Sequence, residues 1–94
     1  MGENLRKLHI GCGKVLQKDA IGIDINPSSD ADVICNLEVA FPFCNDSFDV
    51  IIGEHVLEHI HNLIFTIEEI FRVGKPGGRV IIEVPYFSSV HYFQ

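Results

Sequence analysis

The run Leu8-His9-Ile10-Gly11-Cys12-Gly13 sets a β-prone apolar stretch directly against two glycines with one small residue between them. Read as a strand over Lys7 to Ile10, it must end in a sharp turn. There the missing Cβ atoms allow positive φ and let backbone approach a ligand closely. Such a turn suits a nucleotide or nucleoside site in an α/β sheet. It equally suits an ordinary bend after a buried strand, so the neighbouring segments must decide.

Those segments alternate. Lys14 to Asp19 has room for little more than one helical turn before Ala20-Ile21-Gly22-Ile23-Asp24, a second strand. A parallel pair normally needs a crossover of about a dozen residues, so this connection is short. Asn26-Pro27-Ser28-Ser29-Asp30 is a loop signal, and Ala31 to Cys35 is a short third strand rich in β-branched residues. Phe48 to Ile52 reads as a fourth strand, continuously apolar enough to be buried on both faces and stopping at Gly53. Asn62 is placed to cap a helix in which Leu63, Ile67, Ile70 and Phe71 recur at helical spacing and Glu68 pairs with Arg72. Gly74 stands at the C′ position, Lys75-Pro76-Gly77-Gly78 cannot continue a helix, and Arg79 to Val84 forms a fifth strand. The tail from Tyr86 to Gln94 is aromatic and without period. This alternation predicts one α/β domain over residues 1–94, a doubly wound parallel sheet with its ligand outside the carboxyl ends of the strands.

The balance of the chain narrows its partners. A formal charge of −6, with its basic residues scattered along the sequence, argues against nucleic acid and anionic membranes, because phosphate contacts need several cations on one face. Three cysteines, Cys12, Cys35 and Cys44, without CxxC spacing suit free thiols in a reducing compartment. No secretory leader and no apolar run of spanning length is present, so a cytoplasmic chain is expected.

Dinucleotide binding fails on spacing. The G-x-G-x-x-G fingerprint would need glycine at Leu16, and the acidic residue expected about 20 residues on comes 13 after Gly11, at Asp24. A pyrophosphate also wants a full helix N-terminus, which a one-turn stub does not supply. A nucleoside without phosphates tolerates both departures. Asp24, an acceptor-only group at the end of the second strand, suits two adjacent ribose hydroxyls. It equally suits capping of the Asn26-Pro27 turn.

Five blocks in this order carry a resemblance: Leu8 to Gly13; Gly22-Ile23-Asp24-Ile25; Phe43-Cys44-Asn45-Asp46-Ser47-Phe48-Asp49-Val50-Ile51; His55-Val56-Leu57-Glu58-His59-Ile60; and Arg72-Val73-Gly74-Lys75-Pro76-Gly77-Gly78. Together they resemble a class I S-adenosylmethionine-dependent methyltransferase of the type 11 kind. The resemblance implies a three-layer, Rossmann-like, mostly parallel sheet of about five strands in the order 3-2-1-4-5, ending after the fifth. It implies that Gly11, Cys12 and Gly13 pass the methionine part of the cofactor and that Asp24 binds the ribose. Ile25 would pack on the adenine, Asn36 and Leu37 border that ring, and Gly53 and Glu54 floor the sulfonium. His9 stands where the family most often has an acidic residue near the cofactor's amino group. The family usually continues past the fifth strand, so this reading treats the chain as part of a domain, and a cofactor-binding or interaction module without catalysis is the alternative.

For a hydroxyl or amine acceptor, Glu54, His55 or His59 would take the proton. Methyl transfer from S-adenosylmethionine, leaving S-adenosylhomocysteine, to a small-molecule acceptor is the activity expected. His55-Val56-Leu57-Glu58-His59 also spells H-x-x-E-H, a zinc-hydrolase pattern through His55, Glu58 and His59. It lacks an evident third ligand, since Glu83 falls in a strand, and no metal is assigned. The three cysteines are read as small buried residues, and His61 and His91 as surface residues. A fifth strand left as a bare edge, with Phe87, Tyr92 and Phe93 beside it, predicts a homodimer or other self-association.

Overall fold

The computed structural model describes residues 5–13, 19–54, 60–84 and 87–93. Six strands form one sheet: β1 (Lys7–Ile10), β2 (Ala20–Asp24), β3 (Val33–Ile34), β4 (Phe48–Glu54), β5 (Gly74–Val84) and β6 (Phe87–Phe93), with helix α1 (Leu63–Val73) between β4 and β5. The order across the sheet is β3-β2-β1-β4-β5-β6, the first five parallel and β6 antiparallel to β5. The expected 3-2-1-4-5 arrangement is therefore present, with one strand added. The short crossover read over Lys14 to Asp19 lies, but for Asp19, outside the described residues.

Register explains which apolar residues are buried. Leu8 aligns with Ile21 and Ile51, and Ile51 with Val80, while Ile10 aligns with Ile23 and Gly53, and Gly53 with Ile82. Residues in register on neighbouring strands project to one face. These two rows make the core floor on which Leu37, Phe41, Ile70 and Val73 pack.

Helix α1 starts where Asn62 predicts, its side chain accepting from the Phe65 N–H at 3.3 Å. The buried face follows the apolar stripe that spacing suggests only in part, at Ile70. Thr66, Glu69, Ile70 and Val73 are buried, whereas Leu63 and Phe71 are about 40% exposed. Likewise Arg72 pairs with Glu69 at 2.9 Å rather than with Glu68, which is exposed. The reason is that α1 covers a loop as well as the sheet, and the backbone of that loop offers partners to polar side chains.

Gly74 is extended (φ −83°, ψ 142°) rather than left-handed, so α1 runs straight into β5, and the positive φ falls on Gly77 (81°). Beside it, a Cβ on Gly78 would stand 2.9 Å from the carbonyl oxygens of Asp49 and Lys75. Because both obstacles are backbone, Gly78→Ala should cost about 1–3 kcal/mol, measured as a lowered urea midpoint with an unchanged slope. An unaltered midpoint would contradict this packing. Around the same bend, the Arg6 N–H donates to Asp49 Oδ2 at 2.8 Å and Lys75 Nζ lies 3.3 Å from Asp49 Oδ1. Those contacts, the Arg6 N–H first, hold the Asp49 carboxyl below its usual range. A shallow depression of about 270 Å³ opens here, at the amino ends of β4 and β5 and away from the carboxyl-end turns.

Three strands differ from expectation in length: β3 is two residues rather than Ala31 to Cys35, β4 continues through Gly53 to Glu54, and β5 begins at Gly74 rather than Arg79. The larger correction concerns the far side of β5. Its outer edge is taken by β6, with Val80 opposite Tyr92 and Ile82 opposite Val90. The bare edge on which self-association was expected is thus paired within the chain. Among the described residues, no helix is long and apolar enough to cross a membrane.

Candidate functional site

The strand order reverses between β1 and β4, and in open α/β sheets ligands bind beyond the carboxyl ends at such a point. The β1 turn reaches it. Gly11 and Gly13 both adopt left-handed φ (64° and 57°), which accounts for glycine at each. The turn is tied to its neighbour strand, since the Gly11 and Cys12 N–H groups donate to the Ile23 carbonyl at 2.8 and 3.3 Å. Over Gly13 a Cβ would meet nothing within 4 Å, so the backbone there borders open space.

Asp24 anchors the arrangement. Its Oδ2 accepts from the Gly13 N–H and its Oδ1 from the Asn26 N–H, both at 2.8 Å. The capping reading of this residue is realised, and the same carboxylate also braces the glycine turn. A carboxylate oxygen has two lone pairs, so each oxygen keeps acceptor capacity for a further donor. The Asp24 carbonyl meanwhile receives the Cys35 N–H at 2.9 Å, and the Gly13 carbonyl the Asp30 N–H at 2.8 Å.

The other expected residues divide. Ile25 is 61% exposed beside Asp24, an apolar surface of the kind a flat ring covers. Asn36 is exposed and bends its own loop, Oδ1 accepting from the Glu38 N–H at 2.9 Å. Leu37 is only 6% exposed, its side chain spent in the core, so only its backbone is left to border a ligand. His9 is 1% exposed, aligned with Gly22 and Ile52, and is sealed within the sheet. Gly53 is buried near the end of β4, aligned with Ile10 and Ile82, and the Glu54 backbone closes that strand against Glu83. The Glu54 side chain, with His55, Glu58 and His59, falls outside the described residues. Among the described residues no cluster of three or more His, Cys, Asp or Glu could hold a metal ion.

Cys12 is buried as expected, and burial first, then Asp24, Asp30 and Asp32, push its thiol up. It is a packed thiol and not a nucleophile. Cys35 is half-buried and raised for the same reasons, burial before Asp24, while Cys44 is exposed, contrary to the expectation that all three are buried. Sequence reading missed Asp30 and Asp32. Asp32 Oδ2 takes the Gly22 N–H at 2.8 Å while its own N–H donates to the Gly22 carbonyl at 2.9 Å, extending the ladder past β3. The loop signal Asn26-Pro27-Ser28-Ser29-Asp30 placed Asp30 in a turn, and Asp32 was read within the third strand, but neither reading said that the segment folds back on the β1 turn.

A turn of two left-handed glycines, open above Gly13, and a braced carboxylate at the neighbouring strand end fit a nucleoside better than a phosphate chain. The sequence profile described as a methyltransferase domain matches residues 8–82. The chain belongs to that family. Over 56 residues, 53% of this chain and 24% of the relative, the methyltransferase domain is 34% identical to demethylmenaquinone methyltransferase of Corynebacterium glutamicum. A methyltransferase structure from Bacillus halodurans superposes with TM-score 0.72 at 16% identity, covering 84% of this chain and 44% of that one. The methyltransferase CalH in complex with S-adenosylhomocysteine superposes with TM-score 0.65 at 19% identity, over 83% of this chain and 31% of that one. The domain thus spans less than half of these structures, and its match spans about a quarter of the curated relative.

Proposed function

We propose that this methyltransferase domain binds S-adenosylmethionine through the β1 turn and Asp24 and serves methyl transfer to a small-molecule acceptor. The observation that carries the reading is the Asp24 carboxylate, held by the Gly13 and Asn26 amides with acceptor capacity left on both oxygens. Two vicinal hydroxyls are the donors it suits. Ile25 and the backbone at Asn36 and Leu37 would flank the base, and the open face of Gly13 the amino-acid arm. The bound cofactor supplies a methyl carbon already activated by its sulfonium. What remains for the chain is to hold donor and acceptor in line and exclude water. Glu54, His55 or His59 would take a proton from a hydroxyl acceptor. The demethylmenaquinone methyltransferase relative supports methyl transfer, and the CalH complex with S-adenosylhomocysteine supports the cofactor. The charge of −6 disfavours nucleic acid, and three unbridged cysteines suit the cytoplasm.

Calorimetric titration with S-adenosylmethionine, S-adenosylhomocysteine and NAD tests the reading. Saturable heat is expected from the first two and none from NAD. Binding of NAD with silence from both sulfur nucleosides would overturn it.

A further inference from the structure

The loop from Cys35 to Ser47 has no ladder of its own, yet it carries Asn36 and Leu37 at the candidate site. Its conformation must come from elsewhere. At one end the Cys35 N–H is tied to the Asp24 carbonyl at 2.9 Å. Beyond short turns within the loop, such as the Val39 N–H to the Asn36 carbonyl and the Phe43 N–H to the Phe41 carbonyl, its side-chain ties are to one face of α1 and its cap. Thr66 Oγ1 donates to the Leu37 carbonyl at 2.9 Å, and Glu69 Oε1 accepts the Phe41 N–H at 2.7 Å. Arg72 donates through Nη2 to the Phe41 carbonyl at 3.0 Å and through Nη1 to the Phe43 carbonyl and Asn45 Oδ1, each at 2.9 Å. At the helix start, the Asn62 N–H donates to Glu38 Oε1 at 2.9 Å.

Thr66 is fully buried and Glu69 is 8% exposed, positions where an apolar side chain is the ordinary choice. A buried polar group is tolerated only when satisfied, and every partner here is loop backbone or Arg72. Glu69 binds Arg72 through both oxygens, at 2.9 Å each, so the guanidinium is fixed before it reaches the loop. Arg72 first, helped by the Phe41 N–H, holds the Glu69 carboxyl below its usual range.

We propose that Thr66, Glu69 and Arg72 act as a polar strap that fixes the loop's Asn36-Leu37 corner for recognition of the purine ring. They are positioning residues for cofactor selectivity. The proposal rests on the reading of this site as a nucleoside site. A loop fixed before binding spares the ligand the entropy of ordering it. Releasing one end should therefore cost affinity and, more tellingly, the distinction between one base and another.

The test uses Thr66→Val, nearly isosteric and lacking the hydroxyl, and Arg72→Lys, which keeps the charge but loses the fork. Each is titrated with S-adenosylhomocysteine and with its 6-oxo, inosine-containing analogue, with thermal melting alongside. Wild type is expected to prefer the adenine compound. Each variant is expected to bind it roughly tenfold more weakly and to lose most of that preference. A merely structural role would lower the melting temperature and leave the ratio of the two affinities as it was, and that result overturns the strap. A wild type that binds neither compound overturns the nucleoside reading itself. If Arg72→Lys does not fold, Thr66→Val decides alone.

Discussion

Asp24→Ala is expected to abolish measurable binding of S-adenosylhomocysteine, a loss of at least about 100-fold. Two charge-assisted hydrogen bonds to ligand hydroxyls, at about 1.5–3 kcal/mol each, account for that much on their own. The same substitution strips the Gly13 and Asn26 amides of their acceptor. The turn then loses its brace together with its ligand contact. Asp24→Asn should do little better, because an amide places an NH2 where one of two N–H donors already points. Calorimetry on both variants, with circular dichroism to establish that they fold, measures the effect. Affinity within threefold of wild type in a folded Asp24→Ala protein would remove the ribose from this site.

Phe48→Ala is expected to carry the largest cost in stability. Phe48 is fully buried at the start of β4 and meets Phe43 edge to face, with ring centroids 5.0 Å apart. The Arg6 guanidinium carbon stands 5.6 Å from the centroid of the same ring. Truncation removes the ring's transfer energy and leaves a cavity between sheet and loop, about 3–5 kcal/mol. An edge-to-face pair adds about 0.5–1.5 kcal/mol. A domain of this size is held by about 5–14 kcal/mol in total, so the variant should be largely unfolded in moderate urea where wild type is not. A loss below about 1.5 kcal/mol in a urea titration would show that the core closes over the gap.

Much of the frame was legible because its signals are local. A strand ending in Gly11-Cys12-Gly13, an acid closing the next strand at Asp24 and a capping Asn62 each act within a few residues of themselves, and each stands where its chemistry predicts. What failed depends on distant partners. Glu68 and Glu69 both lie within reach of Arg72 along a helix, and only the loop packed against α1 selects Glu69. The same loop turns Thr66 inward and leaves Leu63 partly in water. β6 could not be read because its aromatic tail shows no alternation, and its pairing is set by β5. Leu37, assigned to the ligand by its place in the chain, has its side chain in the core, and His9 is buried on the sheet face opposite Leu8 and Ile10.

Asp24, Asp30 and Asp32, the aspartates whose charge raises the Cys12 thiol, have a consequence for the two halves of a reaction cycle. A sulfonium carries a full positive charge and the thioether left after methyl loss carries none. On the proposed reading, carboxylates gathered at the turn favour the cationic donor over its neutral product, an equilibrium preference carried by charge alone. That pull fades as salt shortens the reach of the charges, to about 8 Å at physiological ionic strength.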